Sequence, residues 1–152
     1  MECHPFCKRP QNAYHPIFPQ LRALYENMNI VPTNKSDLSA CDNLKIAQDE
    51  EVVARLNDLL GWLQDINWPV ASKVLERISS LGQPLVKPVI EVLEGNDAVW
   101  KYWLISYLLP EIEIETRKSF IPVLRKMAKS PTPEEIKEEV NIVSAEALNV
   151  LV

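Results

Sequence analysis

The sequence predicts an all-α fold, a short solenoid of about three helical-hairpin repeats, on three observations. Only three glycines (Gly61, Gly82, Gly95) stand against twelve prolines, whereas β-hairpins and phosphate-cradling loops both consume glycine. Beyond Met28, helix start and stop signals recur with short connections between them, which folds consecutive helices back on each other as antiparallel hairpins. An internal period of 34 residues runs through the same region. With 152 residues, 47% of them apolar and 24% charged, the chain has the size and composition of one globular domain with an appendage.

Residues 1–27 are that appendage. Pro5, Pro10, Pro16 and Pro19 crowd its first nineteen positions together with both histidines, Cys3 and Cys7, so no regular helix fits before Pro19. From Pro19 to Asn27 a two-turn helix is expected, with Leu21, Leu24 and Tyr25 on one side. Residues 28–152 form the helical domain. A short helix over 38–47 precedes one that Asp49 caps, carrying Val52, Val53, Leu56, Leu59, Leu60 and Leu63. Asn67 is expected to cap the next, where Pro69 costs no hydrogen bond and Gly82 ends the run of Val70, Val74, Leu75, Ile78 and Leu81. Pro84 opens a third helix that stops at Gly95. Asn96 or Asp97 caps a fourth from Ala98 to Leu109, ended by Pro110. A fifth begins at Glu115 or Thr116 and runs to Lys129. Thr132, Pro133 and Glu135 then make a capping box for a sixth that continues to the C-terminus.

The period pairs Val86-Lys87-Pro88-Val89-Ile90-Glu91-Val92-Leu93 with Phe120-Ile121-Pro122-Val123-Leu124-Arg125-Lys126-Met127, and reaches back to Val53-Ala54-Arg55-Leu56. An early proline in the first helix of a pair, and an Asp near the turn with a Val five residues on (Asp65, Val70), resemble HEAT repeats. Ala71 stands where such repeats usually carry Arg.

From about residue 30 to 151 the chain also resembles an uncharacterised bacterial family of small helical proteins, a domain of unknown function. The resemblance rests on Trp62-Leu-Gln-Asp65-Ile-Asn67-Trp68-Pro69-Val70-Ala71, on Trp100-Lys101-Tyr102-Trp103, and on Pro131-Thr-Pro-Glu-Glu followed by Glu138-Glu139-Val140. It implies a HEAT-like fold with no assigned reaction, and a role such as the toxin-immunity-type partner suspected for other small helical proteins of this kind.

Charge and composition narrow the function classes. Sixteen Lys and Arg against twenty-one Asp and Glu leave a net charge of −5, which repels nucleic acid and gives no attraction to anionic lipid. With no apolar run long enough to span a bilayer and no signal peptide, a cytoplasmic protein is expected. Cys3, Cys7 and Cys41 are read as free thiols. Cys3, His4, Cys7 and His15 are zinc-type ligands without a second pair at a usual spacing, so no metal and no cofactor is expected. Both histidines lie in the arm and no glycine-rich elbow surrounds a serine, which argues against nucleophilic catalysis. The carboxylates Glu134, Glu135, Glu138 and Glu139 supply acid/base groups, but they equally suit a helix first turn and a solvated face.

The aromatic residues carry the functional expectation. Trp100, Trp103 and Tyr107 form a stripe at helical spacing, Val99, Tyr102 and Leu109 fill the other side, and only Lys101 and Ser106 stay polar. Trp62, Asp65, Asn67 and Trp68 flank the preceding turn. Together Trp62, Asp65, Asn67, Trp68, Trp100, Lys101, Tyr102 and Trp103 have the composition of a binding hot spot. A plainer reading is also open: the aromatics fill a core, Asp65 and Asn67 cap, and Lys101 pairs with Asp65 or Asp97 at the surface. The expected function is a non-enzymatic protein–protein interaction module; a small-molecule binder with a Trp-lined cleft and a carboxylate-based enzyme are the alternatives.

Overall fold

The computed structural model describes residues 28–152, and among them every regular element is helical. The expected arm over 1–27, its helix from Pro19 and its Cys and His residues lie outside the described residues. Ile30 joins the core beside Leu44, and Asn43 Nδ2 donates to the carbonyl of Asn29 (2.9 Å). Helix α1 (Leu38–Ile46) starts at Asp37, whose carboxylate accepts from Ala40 N–H and from the N–H and hydroxyl of Thr33. The backbone N–H groups of Thr33 and Ala40 hold that carboxyl below its usual value.

The single helix expected after Asp49 is divided. Helix α2 (Asp49–Ala54) begins after Gln48 and turns at Arg55 into α3 (Leu56–Leu60), which tightens to a 3-10 turn at Gly61–Leu63. The next start is corrected as well. Asn67 does not cap: its N–H donates to Asp65 Oδ1 (2.9 Å) in a turn, and α4 (Ala71–Ile78) begins two residues past Pro69. Proline disfavours the helical conformation of its predecessor, so Trp68 stays outside the helix.

Gly82 has φ +73° and ψ −136°, a conformation close to glycine-only territory, and it admits the 3-10 turn Gln83–Leu85 that leads into α5 (Val86–Leu93). An added Cβ would meet no atom within 4 Å there, so the cost of Gly82→Ala is conformational alone. We expect it to lower stability by about 1–3 kcal/mol; an unchanged thermal midpoint would show that the backbone relaxes freely.

Asp97 caps α6 (Ala98–Trp103) through Trp100 N–H (3.0 Å). Pro110 does not end this helix. The chain widens into a π-helix at Leu104–Leu108 and closes as a 3-10 turn at Leu109–Glu111 that contains the proline. Pro110 has no N–H to give the carbonyl of Ser106, four residues back, and its ring crowds that carbonyl; the wider turn accommodates both. Helix α7 (Ile114–Arg117) passes through a 3-10 turn into α8 (Ile121–Lys129). The capping box is formed as expected, with Thr132 Oγ1 accepting from Glu135 N–H (3.2 Å) and Glu135 Oε2 accepting from Thr132 N–H (2.9 Å), and it opens α9 (Pro133–Lys137). The helix does not continue unbroken: Glu139 sits at φ +60°, and α10 (Val140–Leu151) restarts beyond it.

Helix α3 lies against α4 and α5, α5 against α6, and α10 against both α6 and α8. Val52, Leu56 and Leu59, then Val86, Ile90 and Leu93, then Phe120, Leu124 and Met127 enter one continuous core at matching places of the 34-residue period. Phe120, Leu44, Leu63, Ile78, Leu85 and Leu104 are among its fully buried side chains.

Candidate functional site: an aromatic face beside a buried ion pair

The residue expected on the surface is the deepest of its motif. Lys101 retains only 4% of its accessible area, and its Nζ donates to Glu135 Oε1 at 2.7 Å. Glu135 is 5% exposed, so the two charges are buried together. Lys101 therefore pairs with neither Asp65 nor Asp97, and Glu135 is no part of a solvated face. Burial by itself raises the Glu135 carboxyl, but the hydrogen bonds from Lys101 and from Thr132 N–H, with the charges of Lys101 and Lys126, outweigh it and hold the group below its ordinary 4.5. One oxygen serves the capping box and the other the lysine. The pair thus locks α6 to the start of α9.

With Lys101 turned inward, Val99 and Tyr107 are left exposed and Tyr102 and Trp103 half-buried. Tyr102 packs edge-on against Trp103 (5.3 Å between ring centres), and Trp103 against Tyr107 (5.5 Å). Tyr107 is 47% exposed and Val99 42%, which leaves an aromatic and aliphatic face open to solvent. Val99, Tyr102 and Trp103 line a shallow cleft of about 210 Å³ with Lys137, Glu138 and Glu139 on its far side. Glu139 holds a left-handed backbone conformation that costs a non-glycine residue about 1–2 kcal/mol. Such strain gathers where a side chain must be aimed.

The eight residues singled out from the sequence do not form one patch. Trp62 and Trp68 meet edge-on at 5.7 Å across their own turn, and among the described residues no ring contact joins them to the Tyr102–Trp103–Tyr107 group. Asp65 and Asn67 belong to that turn. Trp100 points another way, into a cleft of about 290 Å³ shared with Asn57, Pro88, Glu91 and Asp97, and its buried Nε1 has no hydrogen-bond partner among the described residues. Cys41 is a free, buried thiol, which burial and then the charges of Asp37 and Asp42 push up. Among the described residues no three His, Cys, Asp or Glu side chains cluster as metal ligands, and no helix is long and apolar enough to cross a membrane.

The geometry meets the comparisons at this point: the family model for a domain of unknown function, DUF5071, matches residues 30–148. The chain belongs to this family. Among curated proteins, none matches it. The DUF5071 match spans α1 to α9 and most of α10, so the aromatic face, the Lys101–Glu135 pair and the strained Glu139 all belong to the family domain. Two participants escaped the sequence. Tyr107 was legible as part of a stripe, but Glu135 looked like an ordinary capping glutamate and Glu139 like a mid-helix residue. Only the spacing from Thr132 to Glu135 signalled anything, and it signalled a cap, not a partner for a lysine 34 residues upstream.

Proposed function

We propose that the protein is a non-enzymatic protein-interaction module of HEAT-like architecture. In this reading it docks a partner protein on the face made by Val99, Tyr102, Trp103 and Tyr107. The observation that carries it is the partly open aromatic cluster: half-buried Tyr102 and Trp103 with exposed Tyr107, at ring spacings of 5.3 and 5.5 Å. Large rigid aromatics in a desolvated centre with a polar rim are what binding hot spots use. Glu138 and Glu139 on the rim, and a net charge of −5, favour a basic partner surface whose Arg or Lys lies over Trp103. A toxin-immunity-type pairing in the bacterial cytoplasm fits this chemistry, and the free thiol of Cys41 accords with a reducing compartment. The solenoid reading is supported by the hairpin packing and by the shared core positions of the 34-residue period.

Tyr107→Ala and Glu139→Lys test the reading, because both side chains are exposed and neither enters the core. Each is expected to weaken capture of the native partner by at least about tenfold with an unchanged circular dichroism spectrum. Trp68→Phe, on the separate aromatic pair, is expected to leave capture intact. Normal capture by both variants would move the interface off this face.

A further inference from the structure

A third cavity lies between the π-helix Leu104–Leu108 and α10 and shares only Tyr102 with the aromatic face. Its volume is about 340 Å³, within the range of roughly 300–1,000 Å³ typical of small-molecule sites. Ile105, Leu109, Val143, Ala147 and Leu151 supply apolar walls, and Arg117 and Ser106 supply polar ones. Ser106 Oγ and Arg117 Nε are both fully buried without a hydrogen-bond partner among the described residues. Arg117 forms no ion pair among them either. The wall that presents Ile105 and Ser106 is the π-helix Leu104–Leu108, a rare geometry frequent at functional sites.

We infer that this cavity binds a small organic acid. Its apolar body lies between the π-helix and α10, and its carboxylate pairs with the guanidinium of Arg117, which lines the cavity together with Ser106. The guanidinium is donor-only and permanently charged, so an anionic acceptor satisfies it better than a neutral one. Glu146 also lines the cavity; because it is exposed, water reduces its repulsion of a bound carboxylate to a severalfold effect on affinity without abolishing it. The inference does not rest on the protein-interaction reading: Tyr102 alone touches both sites, and the charged group of the cavity, Arg117, lies outside the aromatic face.

Titration calorimetry on the full chain tests it with three probes: decanoate, decanol and acetate. Decanoate is expected to bind, decanol at least about tenfold more weakly, and acetate, lacking an apolar body, not at all. Arg117→Gln is expected to reduce decanoate to the level of decanol. Glu146→Gln changes only an exposed side chain and is expected to tighten decanoate severalfold by removing the like charge. Equal affinity for decanoate and decanol would overturn the proposal, as would the absence of any binding. So would an unaltered affinity in folded Arg117→Gln. Should that variant unfold, an unchanged or weakened affinity in Glu146→Gln overturns it instead.

Discussion

Lys101→Ala is expected to lower the unfolding free energy by about 3–5 kcal/mol, because it leaves the buried carboxylate of Glu135 without its counter-charge. A lysine in a surface pair would cost about 1 kcal/mol or less, so urea unfolding at neutral pH separates the two cases. A loss within 1 kcal/mol of the parent would show that water reaches Glu135. The double variant Lys101→Met with Glu135→Gln is expected to recover most of the loss, since the amide oxygen still accepts from Thr132 N–H and no charge remains buried. The same pair governs acid stability. Because folding lowers the Glu135 carboxyl below 4.5, its contribution is fully present above that value and is lost as pH falls through the lower folded value. Glu135→Gln should therefore flatten the acid side of the stability profile, and an unchanged profile would remove Glu135 from it.

Arg77→Met is expected to cost about 2–4 kcal/mol, from unmet carbonyls more than from lost charge. The Arg77 guanidinium, on α4, donates from Nε to the carbonyl of Leu44 (3.2 Å) and from Nη2 to that of Ala47 (2.9 Å), at the C-terminal end of α1. The Ala47 carbonyl has no further helical turn to bond with, and that of Leu44 otherwise accepts only the long bond from Ala47 N–H (3.3 Å). Nη2 also reaches Asp49 Oδ1 at 2.7 Å, but Asp49 is 59% exposed and Arg77 15%, so water weakens that pair. Asp49→Asn should accordingly cost less than about 1 kcal/mol. Arg77→Lys keeps the charge but not the planar fork, and should recover only part of the loss. Equal destabilisation by Arg77→Met and Asp49→Asn would mean that the ion pair, not the capping of α1, holds these elements together.

Much of the local chemistry was legible, although the cap expected from Asn67 did not form. The Asp97 cap, the Thr132–Glu135 capping box, the turn at Gly82 and the scarcity of glycine all act within a few residues, so the sequence carries them openly. Helix interruptions were less legible: Pro110 marked a stop but not the π-helix that accommodates it, and no local signal marked the left-handed break at Glu139. The aromatic motif was readable as a group rich in hot-spot residues but not as a surface. Helical periodicity names the sides of a helix without saying which side its neighbours cover.

The sequence by itself therefore determined the helical class, the position of most helix starts and the 34-residue rhythm of inward-facing residues, because these follow from backbone capping and from the hydrophobic effect acting on a regular period. Tertiary structure alone decided that Lys101 turns inward to Glu135, that Tyr107 is left exposed with Tyr102 and Trp103 half-buried, and that Trp62 and Trp68 form a separate pair. The physical reason is the same in each case. A charge can be buried only where an opposite charge and its hydrogen bonds await it, and that partner is supplied by a distant segment which no local pattern identifies.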